Sequence, residues 1–206
     1  MQPTEIKITI RPKSKSIRLR IDDDLRLIVS AGPFFSESEI KDCIHHNWQW
    51  IKERILEKSK LKLSLQQTLQ SHQNRFLCFG QWEIFKQQTK TEIKNNLLKV
   101  LETRTKDWAK IMQVEYKKIC VRYNKRVLGS CSYHNHLSFS LLLYCAPIDL
   151  IDYVIVHELS HIKHKNHSKA FWDFCASFYP HYQSSRKILH QNITLYIALF
   201  KKYNIC

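Results

Sequence analysis

Residues 147–178, PIDLIDYVIVHELSHIKHKNHSKAFWDFCASF, constrain this chain more than any other segment. Ile148, Ile151, Ile155, Leu159 and Ile162 recur at helical spacing, and Leu150 and Val154 lead a second apolar row that continues as His157 and His161. A helix that is apolar around most of its circumference is a buried one. Pro147 suits its first turn, and Asp149 and Asp152 suit the positive end of its dipole. The spacing thus predicts a buried helix over about residues 147–164. It carries two imidazoles and a carboxylate inward, where such groups need partners. A metal ion is one such partner.

His157-Glu158-Leu159-Ser160-His161 reads H-E-x-x-H. Side chains four residues apart differ by only about 40° around a helix, so both imidazoles can face one ion. Glu158 lies beside them, placed to hold a water on that ion and to take its proton as it attacks a substrate. With 11 His and 10 Glu in 206 residues, chance supplies the pattern about 0.03 times per chain, so coincidence is the weaker explanation.

A catalytic zinc takes three protein ligands and keeps one open position. His164 and His167 are the candidates for the third. On a straight helix His164 stands two turns beyond His157, too far for one ion. His167 would stand about 15 Å beyond His157 if the helix ran on, so it can ligate only if the chain turns back. Lys165-Asn166 supplies that turn, since Asn tolerates the left-handed conformation that ends helices. A new helix can then start near Ser168, with Phe171, Phe174, Cys175 and Phe178 on one face. His157, His161 and His167 are the expected zinc ligands, Glu158 is the expected general base, and His164 stays the alternative ligand.

The segment YVIVHELSHIKHKNHSKAFW resembles the signature of the YgjP-like metal-dependent hydrolases, which are grouped with zinc metallopeptidases and related to SprT and WLM peptidase domains. His157, Glu158, Leu159, His161, His167, Ser168, Phe171 and Trp172 fit that signature, and upstream Gly129, Ser130 and Cys131 match a second element. Leu128 stands where Trp is usual, and Ser140 where Asn is usual. Weaker similarity reaches Ser16–Arg20, Pro33 and Trp50-Ile51. The resemblance implies a zinc-dependent peptidase with an α+β, zincin-like fold. It also implies two other readings. One is a pyrophosphatase of nucleoside triphosphates, UTP-like, at the same metal site. The other is a DNA-associated repair peptidase or binding module.

Outside the motif the pattern is mixed. Residues 5–10, 16–21 and 25–29 alternate as strands do, and Gly32-Pro33 ends the run. Ser36 with Glu39 forms a capping box ahead of a helix through Ile40, Ile44, Trp48, Ile51 and Ile55, which fades into polar sequence at 59–74. Phe76–Phe79 and Trp82–Phe85 suggest a hairpin turning at Gly80-Gln81, and a helix fits Ile93 to Met112. Ile119 to Tyr123 read as a strand, 128–142 as a hairpin, and everything from Pro147 as helical with a break at Pro180. This gives an N-terminal strand–helix–hairpin region, 1–90, and a metallohydrolase core, 91–206.

The net charge of +15 suits an anionic partner, either nucleotide phosphates or nucleic acid, but only +3 of it falls in 147–206. The longest apolar run, Leu141 to Pro147, is far too short to span a bilayer. The N-terminus lacks the pattern of a signal peptide, so a cytoplasmic location is expected. Seven single Cys, at 43, 78, 120, 131, 145, 175 and 206, form no C-x-x-C pair and read as reduced thiols. Cys131, His134 and His136 match no closed zinc site and read as a turn with incidental histidines. Arg126, His181 and Tyr182 read as surface residues, and Phe171, Trp172 and Phe174 as core.

Overall fold

In the computed structural model, which describes residues 2–205, the chain divides at Ser71/His72 into two units. In the first, β1 (Ile6–Ile10), β2 (Arg18–Ile21) and β3 (Leu27–Ala31) precede α1 (Glu37–His46) and α2 (Trp48–Ser71). The strand order is β1-β3-β2, with β1 parallel and β2 antiparallel to β3. Leu27, Val29 and Ala31 pack on Ile40, Ile51 and Ile55 of the helices. Ser36 and Glu39 form the expected capping box, each side chain bonded to the other residue's backbone N–H. The helix does not fade at residue 59. It bends at Asn47 and continues to Ser71 through a stretch rich in Lys, Leu and Gln, all good helix formers, with Leu61 and Leu63 left exposed.

The second unit begins with the hairpin β4 (Arg75–Cys78) and β5 (Gln81–Ile84), followed by α3 (Lys90–Ile111). The hairpin turns on Phe79 and Gly80, both at positive φ, rather than on Gly80-Gln81. Gly80 also lies against Pro147, where a Cβ would come within 2.8 Å of the ring. The Phe79 N–H donates to the Tyr144 carbonyl and the Tyr203 hydroxyl to the Arg75 carbonyl. These bonds tie the hairpin to the chain that follows it. Thr89 and Glu92 cap α3 with a second capping box.

A three-stranded sheet follows, of β6 (Lys118–Arg122), β7 (Gly129–Cys131) and β8 (His136–Ser140), in the order β6-β8-β7. Here too the first strand runs parallel to the central one and the middle strand lies antiparallel at an edge. A buried 3-10 turn, Leu141–Cys145, leads into α4 (Ile148–Lys163), and α5 (Lys169–Phe178) and α6 (Tyr182–Lys202) complete the unit. The architecture is α+β, as expected from the sequence.

Packed among α3, α5, α6 and the edge strand β7, α4 is the central helix of this unit. Ile151, Ile155 and Leu159 are fully buried, each contributing roughly 1.5–3 kcal/mol. Asp152 does not face the helix dipole alone. Both its oxygens accept from the Arg104 guanidinium on α3, a bidentate pair that fixes the helix. No helix among the described residues is long and apolar enough to cross a membrane. The six described cysteines are free thiols, and Cys206 lies outside the described residues.

Candidate metal centre

Helix α4 ends where the sequence suggests, but by a different device. His164 leaves the helix in an extended conformation (φ −130°, ψ 103°), and Asn166 does not take a positive φ. The chain bends at Lys165-Asn166 and starts α5 behind Ser168, whose hydroxyl accepts from the Phe171 N–H. The Lys165 ammonium donates to Asn135 Oδ1 at 2.8 Å and lies 5.9 Å over the Tyr133 ring. The bend is thereby pinned to the turn between β7 and β8.

This geometry returns His167 to α4. The ring nitrogens of His157, His161 and His167 lie within 4.8 Å of one another. His157 Nε2 and His167 Nε2 are 3.0 Å apart. Two nitrogens on one tetrahedral ion with bonds of about 2.0–2.1 Å stand roughly 3.3 Å apart, so the spacing fits a shared cation. His161 Nδ1 is 3.1 Å from the His164 carbonyl, and as an N–H donor there it leaves Nε2 to face the group. His164 thus takes part through its backbone, while its ring packs on Phe174. Phe171, fully buried, touches all three imidazoles, with ring centroids 4.9, 4.5 and 4.7 Å from those of His157, His161 and His167.

Glu158 faces the edge strand. It is 4% exposed, and its Oε2 has no hydrogen-bond partner among the described residues. Burial pushes its carboxyl up to about 8. Burial, followed by the neighbouring His161, His167 and Arg186, lowers His157 to about 3, and burial also lowers His161. Both rings are held in the neutral form that ligates metals. A buried carboxylate oxygen without a donor among the described residues, beside three converging imidazoles, is a setting that a divalent cation satisfies.

Gly129 of β7 makes this approach possible. A Cβ there would lie 2.5 Å from Glu158 Oε1 and 2.7 Å from its Cγ. Its backbone needs no positive φ, so space is the whole reason for glycine.

The site opens on a cavity of about 910 Å³ lined by Glu158, His157, His167 and Trp172. Lys125, Arg126 and Arg186 line it too. Trp172 is therefore half-buried cleft wall rather than core, and Arg126 borders the site. His181 and Tyr182 do not line the cavity, but Tyr182 stacks on Trp172 at 4.9 Å. Cys131, His134 and His136 form no metal-holding cluster among the described residues. Sequence reasoning missed Arg186, which sits 19 positions beyond His167 with no local pattern to mark it.

A family model for YgjP-like proteins, metallopeptidase domain, matches residues 83–192, just over half of the chain. Among solved structures the chain is similar to the metallopeptidase zymogen abylysin of Pyrococcus abyssi, at 17% identity and a TM-score of 0.41, over 44% of this chain and 93% of that one. No curated protein matches it.

Proposed function

Because this chain belongs to the YgjP-like family, and is on that account a metal-dependent hydrolase with a metallopeptidase domain, we propose that it is a zinc-dependent peptidase whose reaction is carried by Glu158. The convergence of three imidazoles beside a buried, unpartnered carboxylate is the observation that supports this reading. Residues 91–206 would form the catalytic core, zincin-like in fold, with α4 as its active-site helix.

His157 and His167 would hold the ion through Nε2, and so would His161, whose Nδ1 is turned to the His164 carbonyl. The ion, when bound, supplies Lewis acidity, polarising a substrate carbonyl and lowering the pKa of water to about 7. Glu158 Oε2 takes the proton of the attacking water as the new C–O bond forms. It then gives that proton to the departing amide nitrogen as the C–N bond breaks, so the carboxylate is regenerated. Its burial keeps bulk water from competing for the proton, and Gly129 sets the distance at which it works.

The test is zinc analysis followed by peptide and nucleotide assays on one preparation. Peptide turnover that needs zinc and disappears in Glu158→Gln supports the reading. Cleavage of UTP with no peptide turnover, or tight salt-sensitive DNA binding with neither activity, would replace it.

A further inference from the structure

The cavity beside Glu158 is lined by more positive than negative groups. Lys125, Arg126 and Arg186 line it, and among the described residues Glu158 is the only carboxylate that does. None of the three cations forms an ion pair among the described residues. Unpaired charges of one sign in a cleft with low-dielectric walls create a field that draws in the opposite charge.

Arg186 is the best placed of the three. Its guanidinium lies 5.5 Å from the centre of the Trp172 ring. Trp172 is itself clamped, stacked on Tyr182 at 4.9 Å and on His167 at 5.4 Å. Arg186 is exposed, and this contact places its charge over the Trp172 face beside the metal-facing wall. A guanidinium over an aromatic face is partly pre-organised, and its fork matches the two oxygens of a carboxylate. Apolar residues from the same cavity, Leu128, Leu189 and Ile193, stand ready for an uncharged neighbour.

We propose that this cleft selects peptides carrying a carboxylate next to the scissile bond, and that Arg186 is the specificity-determining residue that receives it. The proposal deepens the peptidase reading and rests on it. The carboxylate comes either from an Asp or Glu side chain or from the peptide's own C-terminus, and both present the same group to the same fork.

The experiment uses the zinc-loaded full chain and peptides of one apolar sequence with Glu, Gln or Lys beside the cleaved bond, each with a free or an amidated C-terminus. The Glu peptide is expected to exceed the Gln peptide about tenfold in kcat/KM, the scale of one charge-assisted hydrogen bond. The preference should survive Arg186→Lys in part and invert in Arg186→Glu, with zinc content unchanged in both. A Glu-over-Gln preference kept on amidation assigns the group to a side chain, and a loss of about tenfold on amidation whatever the side chain assigns it to the C-terminus. Binding of the same peptides to the zinc-loaded Glu158→Gln protein separates the two readings. Equal affinity for Glu and Gln peptides that is also unchanged by amidation overturns the present inference, whatever is cleaved. Tighter binding of acidic peptides by a chain that hydrolyses none would overturn the peptidase reading and leave the cationic wall standing. A Glu preference that persists undiminished in Arg186→Glu also overturns it.

Discussion

Gly129→Ala adds one methyl group, and the structure says where it goes. The three nearest atoms to the new Cβ all belong to Glu158: Oε1 at 2.5 Å, Cγ at 2.7 Å and Cδ at 2.8 Å. Ordinary contact begins near 3.4 Å, so the carboxylate must retreat by about 1 Å or β7 must shift. The histidines are not among those neighbours, and the backbone conformation suits alanine. A displacement of about 1 Å at a reacting group costs roughly 100-fold in rate. The expected result is therefore a kcat about 100-fold below wild type, with one zinc per chain retained and a melting temperature within a few degrees. A double-mutant cycle sharpens it: in a Glu158→Gln background the same substitution should cost almost nothing further, because both changes act on one group. Wild-type kcat in Gly129→Ala would refute the positioning role. Loss of zinc in that variant would show that the strand supports the ligands rather than the base.

Further outcomes follow from the same contacts. His157→Ala, His161→Ala and His167→Ala should each lower zinc affinity by more than the 10–100-fold typical of outer-shell changes, while His164→Ala, which keeps the carbonyl facing His161, should retain full occupancy by metal analysis. In chelated protein, Glu158 has a folded-state value of about 8, above its unfolded one near 4.5. Its contribution to stability is complete below pH 4.5 and is lost as pH rises through 8, at up to about 1.4 kcal/mol per pH unit. Denaturant titrations of the metal-free chain should show that slope and Glu158→Gln should lack it. Arg104→Ala should destabilise by about 2–3 kcal/mol, less than for a fully buried pair because the arginine is 38% exposed, and replacing both partners by apolar residues should recover most of the loss. Phe171→Ala, which removes the ring under all three imidazoles, should cost about 3–5 kcal/mol and loosen zinc binding in the same equilibrium measurements.

Much of the site was legible because its logic is local. The two histidines of α4 are related by helix geometry alone, and His167 follows from a chain reversal written in a few residues. The Ser36 capping box was equally local, and Thr89 with Glu92 repeats it. What was not legible depends on partners distant in sequence. Alternation announces a strand but not its neighbour. The parallel pairing of β1 with β3 and of β6 with β8 therefore had no visible signature. Asp152 read as a residue for the helix dipole because nothing near it marks Arg104, 48 positions away, as its partner. Arg186 is one more surface arginine until α6 brings it over Trp172.

The centre is assembled against its own interests, and this explains the surroundings of α4. Glu158 Oε2 and His157 Nδ1 are buried without hydrogen-bond partners among the described residues, each a group that would leave the interior if the backbone allowed it. Unpartnered buried polar groups cost roughly 1–3 kcal/mol apiece, and a carboxylate held neutral costs more as the pH rises. That demand is met on the same helix. Ile151, Ile155 and Leu159 are fully buried, Arg104 clamps Asp152 one turn before the first histidine, and Phe171 packs beneath the rings. A cation among the imidazoles relieves the other side of the balance by favouring the ionised carboxylate. The metal and the core are thus alternative supports for one strained arrangement. It follows that weakening the core should raise the dependence on zinc. An Ile155→Val chain, short of one buried methyl group, should lose about 0.5–1.5 kcal/mol without metal. It should lose less when zinc is saturating if an opened site can bind and re-order it. Equal losses in both states would show instead that core and metal act independently.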